Sequence, residues 1–131
     1  MLKIVKTSIA LAAASFIVAG NAHADVNEAL QNICTIVKAD DKGELRKKMK
    51  MVESDFRLQL KDYYSGVSCG GQSLIRTAML NNAVETGTMI VKKMPKGDLN
   101  TPEADGKTIA AWASENGLDS SPIVAALNER I

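Results

Sequence analysis

One pattern occurs twice in this chain, 35 residues apart. The first copy is Gly71-Gln72-Ser73-Leu74-Ile75-Arg76-Thr77-Ala78, entered directly from Cys69 and Gly70. The second is Gly106-Lys107-Thr108-Ile109-Ala110-Ala111-Trp112-Ala113. Each opens on Gly, places Ser or Thr two residues on, ends on Ala, and meets an Asn three residues later, Asn81 and Asn116. Two copies in one register predict a repeated helix pair rather than one irregular domain.

The N-terminus reads as an export signal. Lys3 and Lys6 precede an uncharged apolar run from Thr7 to Gly20, and Ala22-His23-Ala24 is a small-x-small cleavage pattern. The run is too short to span a membrane, which takes about 20 residues. Residues 1–24 are therefore expected to be a signal peptide and residues 25–131 a single domain, periplasmic or secreted, with no membrane span after cleavage. Removing Lys3 and Lys6 leaves 14 Lys and Arg against 15 Asp and Glu, a net charge of −1. Nothing in that balance draws the domain as a whole to nucleic acid or to an anionic membrane. His23 leaves with the signal and is the chain's one histidine.

Two cysteines remain, Cys34 and Cys69. An even count in an exported chain predicts a disulfide. The pair lacks the Cys-x-x-Cys spacing of redox-active thiols, so a structural bridge is expected.

Apolar residues at steps of three and four predict the helices. Asp25 to Lys38 buries Leu30, Ile33, Cys34 and Val37, with Asp25 and Glu28 as a capping pair. Glu44 to about Val52 buries Leu45, Met49 and Val52, and leaves Arg46, Lys47, Lys48 and Lys50 as a basic face, read as solvated helix surface rather than as a nucleic-acid or lipid patch because no aromatic is interleaved. From Ser54 to Ser68, Phe56, Leu58 and Leu60 alternate with polar residues, which favours an extended or irregular segment containing at most one helical turn; the competing reading is a short helix capped by Ser54-Asp55 and ending at Tyr64. Ser73 then caps a helix to Asn81, and Val84 to Lys93 returns. Gly87 inside that return helix costs up to about 1 kcal/mol of propensity and predicts a close helix contact. Pro95 to Asp105 reads as a polar surface loop. Thr108 caps the next helix, Gly117 ends it in a left-handed conformation, and Pro122 opens the last one.

The copy Gly106, Thr108, Ala113, Asn116, Gly117 resembles the ankyrin repeat, and the earlier copy matches with Ser73 for Thr and Asn82 for the final Gly. The family's Thr-Pro-Leu-His is absent, and the period is 35 rather than about 33. The segment from Asn27 to Met51 would be a degenerate first pair. In its signal, the Tyr63-to-Gly71 segment with Cys69, and the stretches Leu74-Ile75-Arg76 and Ile90-Val91-Lys92-Lys93-Met94-Pro95, the chain is also similar to small exported gamma-proteobacterial proteins of unknown function, which carry no catalytic residues over. The resemblance implies a mostly α fold: stacked helix pairs, two clear units and a degenerate N-terminal pair. It also implies binding, with fingers at about Ser54 to Gly70 and Lys96 to Asp105 and first helices lining a concave surface. The candidate partner contacts are Tyr63, Tyr64, Arg76 and Trp112. Trp112 is weighed as a packing residue against a binding anchor. Tyr63 and Tyr64, adjacent on an extended segment, cannot both point inward, so one should be accessible.

Without histidine, Ser-His and Cys-His nucleophiles and histidine metal sites are excluded. Cys69-Gly70-Gly71 lacks the Gly-Lys-Ser/Thr ending of a phosphate loop. No cofactor or metal is expected. The reading is a non-catalytic protein-interaction module whose partner is another envelope protein. The alternatives are a small carboxylate-dependent hydrolase and a structural envelope protein.

Overall fold

The computed structural model describes residues 26–131. The signal segment, its cleavage site and the Asp25 cap lie outside the described residues. The fold is mostly helical with one disulfide, and no strand occurs among the described residues. Helix α1 covers residues 26–38. The others are α2 (Lys42–Phe56), α3 (Leu60–Tyr63), α4 (Leu74–Leu80), α5 (Val84–Lys93), α6 (Lys96–Leu99), α7 (Ile109–Glu115) and α8 (Pro122–Arg130). A 3-10 turn, Tyr64–Gly66, prolongs α3.

The helix starts are those the cap residues encode. The Ser73 and Thr108 hydroxyls accept from the N–H groups of Arg76 and Ala111, three residues on. Ser121 caps α8, with Pro122 at its first position.

The first three long hairpins turn in the same way. Asp40, Asn82 and Gly117 all have positive φ (55°, 52° and 69°) directly after a helix. The next N–H reaches back five residues in every case: Asp41 to Ile36 O, Ala83 to Ala78 O, and Leu118 to Ala113 O. This is the Schellman closure, which satisfies carbonyls that a helix end would otherwise orphan. At two of the turns Asn81 and Asn116 add a side-chain bond, each donating from Nδ2 to a carbonyl four residues back at 2.8 Å. Three helix pairs, α1–α2, α4–α5 and α7–α8, therefore share one turn.

The pairs stack. Helix α2 packs on α5 and α5 on α8 in one row, while α4 packs on α7 in the other. The core between them is aliphatic, with Ile33, Leu45, Ile75, Ile90, Ile109 and Leu127 almost wholly buried. Gly87 sits where α5 meets both neighbours. A Cβ there would fall 2.5 Å from Ile123 Cδ1 and 2.9 Å from Ala78 Cβ, so only glycine permits this approach. The first pair is tied on twice. Cys34 of α1 bridges to Cys69, with a Cα–Cα distance of 5.5 Å. Closing a loop of that length stabilises a fold by about 3–4 kcal/mol on the chain-entropy account. Asp40 Oδ1 also accepts from the Thr86 N–H (2.8 Å) and hydroxyl (3.0 Å), which caps α5 from a distant turn.

Three expectations are corrected. Helix α2 runs one turn past Val52 to Phe56, because Leu45, Met49, Val52 and Phe56 are spaced four, three and four, a helical stripe. Residues 54–68 are thus largely helical, not extended. Tyr63 and Tyr64 are both buried, at 5% and 8% exposure, because a helical junction turns adjacent side chains by about 100° rather than 180°. The segment after Pro95 is not a bare polar loop: it forms α6 and buries Leu99.

Candidate functional site

The two copies of the repeat open on equivalent turns. Gly71 and Gly106 both take positive φ, 89° and 81°. The first turn is closed by bonds between Cys69 and Gln72 in both directions, 2.7 and 3.3 Å. The second is closed by Glu103 N–H to Lys107 O (2.9 Å) and Gly106 N–H to Glu103 O (2.8 Å). What fastens them differs. The first is held covalently through Cys69, the second by charge.

Glu103 and Asp105 of the second turn both meet Arg76 of α4. Arg76 Nη1 and Nη2 donate to the two Asp105 oxygens at 2.7 and 2.9 Å, a bidentate fork. Nη2 also donates to Lys107 O at 3.1 Å. Arg76 Nε lies 2.6 Å from Glu103 Oε1, an ionic contact off the N–H axis rather than a linear hydrogen bond. The remaining Glu103 capacity is used by two hydroxyls: Ser73 Oγ donates to Oε1 (2.9 Å) and Tyr64 Oη to Oε2 (2.8 Å). The Arg76 guanidinium stands 5.0 Å from the centre of the Trp112 ring, within cation–π range.

The electrostatics follow from this geometry. The Arg76 hydrogen bonds, helped by the Lys107 N–H, hold the Asp105 carboxyl well below the usual carboxylate range. The bonds to Asp105 push the Arg76 pKa further up against the opposing effect of burial. Burial, then the Glu103 charge, drives the Tyr64 phenol far above its ordinary value, so it stays a neutral donor.

This network floors a half-open cleft of about 720 Å³. Its lining also includes Lys61, Val67, Ser68 and Gln72, Met94 and Asp98, and the turn from Thr101 to Asp105. The cleft therefore lies between residues 61–72, residues 94–105 and the helices α4 and α7. Tyr64, Arg76 and Trp112 come together in it, while Tyr63 is buried elsewhere and does not line it. All three are largely buried, so they shape the floor, and Trp112 packs α7 against α4. Among the described residues no cluster of three or more Cys, Asp or Glu is placed to hold a metal ion.

A family profile covers much of this architecture. The family described as Protein of unknown function (DUF3718) matches residues 33–101, which is 69 of the 131 residues. The chain belongs to that family. No curated protein and no solved structure matches the chain. The DUF3718 segment carries both cysteines, Tyr64, Ser73 and Arg76, whereas Glu103, Asp105 and Trp112 follow it. The floor of the cleft is thus built across the end of the DUF3718 match.

Glu103, Asp105 and Ser73 are absent from the sequence-based list of contacts. Their signal lay in a difference between the copies. Ser68 and Gly70 of the first turn correspond to Glu103 and Asp105 of the second, and Arg76 corresponds to Ala111. Two acids are gained in one copy and a cation stands in the other, as an inter-unit ion pair requires.

Proposed function

We propose that this chain is an exported, non-catalytic binding module, and that its cleft holds a segment of another envelope protein. One observation carries the reading: the charged floor of the cleft is wholly engaged in internal pairs. Arg76, Glu103, Asp105 and the Tyr64 hydroxyl satisfy one another, and the acid with a shifted pKa, Asp105, moves away from the range of a general acid. A hydrolase would need an acid raised toward neutrality in that place. A cleft with a fixed floor and a mixed rim suits recognition, because its order does not have to be created on binding.

The disulfide fits an oxidising compartment, which agrees with the export signal read in residues 1–24. Among the described residues no helix is long and apolar enough to cross a membrane. The shared turn of the three stacked pairs favours kinship with ankyrin-like stacks, where fingers and first helices form the binding face.

The test is affinity capture by the mature, oxidised protein from an envelope extract, with mass spectrometry of what is retained. One dominant stoichiometric protein is the expected result. A blank under those conditions, together with turnover in a hydrolase screen, would overturn the proposal.

A further inference from the structure

A second groove, of about 500 Å³, shares no residue with the cleft and is independent of the reading above. It runs between α2 and α5. Lys42 and Arg46 line it from α2, and Val84, Glu85, Thr88, Met89, Lys92 and Lys93 from α5. The spacings make it one surface. Lys42 and Arg46 are four apart, and Glu85, Thr88, Met89 and Lys92 follow at steps of three, one and three along one helical face.

Four cations meet one carboxylate there, a groove charge of +3 in a mature domain whose net charge is −1. All four are exposed, and among the described residues none has a carboxylate within ion-pair distance. By contrast Lys47, on the same helix but outside the groove, pairs with Glu44. Helix electrostatics account for only half of the set. Lys92 and Lys93 complement the negative end of α5, but Lys42 is the first residue of α2, at the end where a cation is unfavourable. Like charges at a four-residue spacing add to that cost.

We propose that this groove binds a phosphate-bearing anion. Arg46 offers a planar fork to phosphate oxygens, and the three lysines supply point charges around it. Val84 and the buried Met89 give an apolar base for the body that carries the phosphate. The volume falls within the range of small-ligand sites, about 300–1,000 Å³. A free phosphorylated molecule and an anionic phospholipid headgroup present the same chemistry.

Two probes separate those sources: sodium pyrophosphate, followed by isothermal titration, and vesicles of equal parts phosphatidylglycerol and phosphatidylcholine, followed by co-sedimentation, both at low ionic strength. Saturable pyrophosphate binding alone assigns a free phosphate ligand, and vesicle binding assigns a headgroup. Arg46→Gln with Lys92→Gln should weaken either by about tenfold or more, the loss of one charge-assisted hydrogen bond. Lys47→Gln with Lys50→Gln, on the outer face of α2, should leave it unchanged. Both pairs are exposed, and their melting temperatures check that the fold is kept; Lys92→Gln alone serves if the double variant does not fold. Absence of binding to both probes, or equal loss in the outer-face variant, overturns the proposal.

Discussion

Arg76 on α4 and Glu103, 27 residues further along the chain, form an ion pair whose side chains are only 6% and 13% exposed. The contact joins the two copies of the repeat, and the cleft floor is assembled on it. Breaking one partner of such a pair leaves the other charge buried and uncompensated, which costs about 3–5 kcal/mol. Arg76→Met should therefore lower the unfolding free energy, read from urea denaturation, by an amount near the bottom of that range, since Asp105 keeps partial access to water. Arg76→Lys should recover little, because an ammonium cannot replace the fork. An Arg76→Met protein within about 0.5 kcal/mol of the parent, the scatter of ordinary surface changes, would refute this role.

Asp105 supplies a pH signature. Its folded pKa is depressed by the Arg76 hydrogen bonds, so its contribution is fully present above the unfolded carboxylate value, about 3.9. That contribution is lost as the pH falls below that value toward the folded one. Thermal melts below pH 4 should show a steeper decline for the parent than for Asp105→Asn. Identical acid limbs would show that the fork contributes nothing in solution.

Tyr63 is buried with no partner for its hydroxyl, and burial, aided by the Glu53 charge, pushes its pKa up to about 12. An unmatched buried hydroxyl costs about 1–3 kcal/mol. Tyr63→Phe should equal or exceed the parent in stability by about 1 kcal/mol. It should also flatten the alkaline limb. The neutral phenol's contribution is whole below the unfolded value, about 10, and is lost as pH rises through the folded one. Clear destabilisation by Tyr63→Phe at neutral pH would mean that the hydroxyl is engaged.

Gly87 tests the stacking of α5. Alanine would gain about 1 kcal/mol of helix propensity, but its Cβ would collide with Ile123 Cδ1 and Ala78 Cβ. Overpacking of this kind costs about 1–3 kcal/mol. Gly87→Ala should be net destabilising by about 1 kcal/mol or more, and Ile123→Val should relieve part of the loss by removing Cδ1. A stabilised Gly87→Ala protein would show that α5 and α8 are further apart.

The parts legible in the sequence are those fixed by local chemistry. Ser73, Thr108 and Pro122 start helices whatever surrounds them, Gly117 ends one, and Gly87 in a helix announces a close neighbour. The two cysteines, an even pair without a Cys-x-x-Cys spacing, read as a structural bridge and form one. The less legible parts depend on which of two periods wins. Phe56 belongs to a helical stripe with Leu45, Met49 and Val52 and also to an alternating run with Leu58 and Leu60, and tertiary packing decides between them. The burial of both Tyr63 and Tyr64 follows from that decision. Of the site, Tyr64, Arg76 and Trp112 were legible as candidates. Glu103 and Asp105 were not singled out, because their mark shows only when the copies are compared position by position: they stand where the first copy has Ser68 and Gly70, and Arg76 stands where the second has Ala111.

Ala104 is exposed and lies between Glu103 and Asp105 on the rim of the cleft. Ala104→Arg adds a long side chain at the lining of the cleft, and an unchanged melting temperature checks that the Arg76 pairs with Glu103 and Asp105 survive it. The decisive measurement is capture from envelope extract by the parent and by Ala104→Arg side by side, quantified by mass spectrometry, with melting temperatures of both. The expected result is a stoichiometric partner retained by the parent and lost by the variant at unchanged melting temperature. A partner retained equally by both would place recognition elsewhere on the molecule and contradict the cleft as the binding surface.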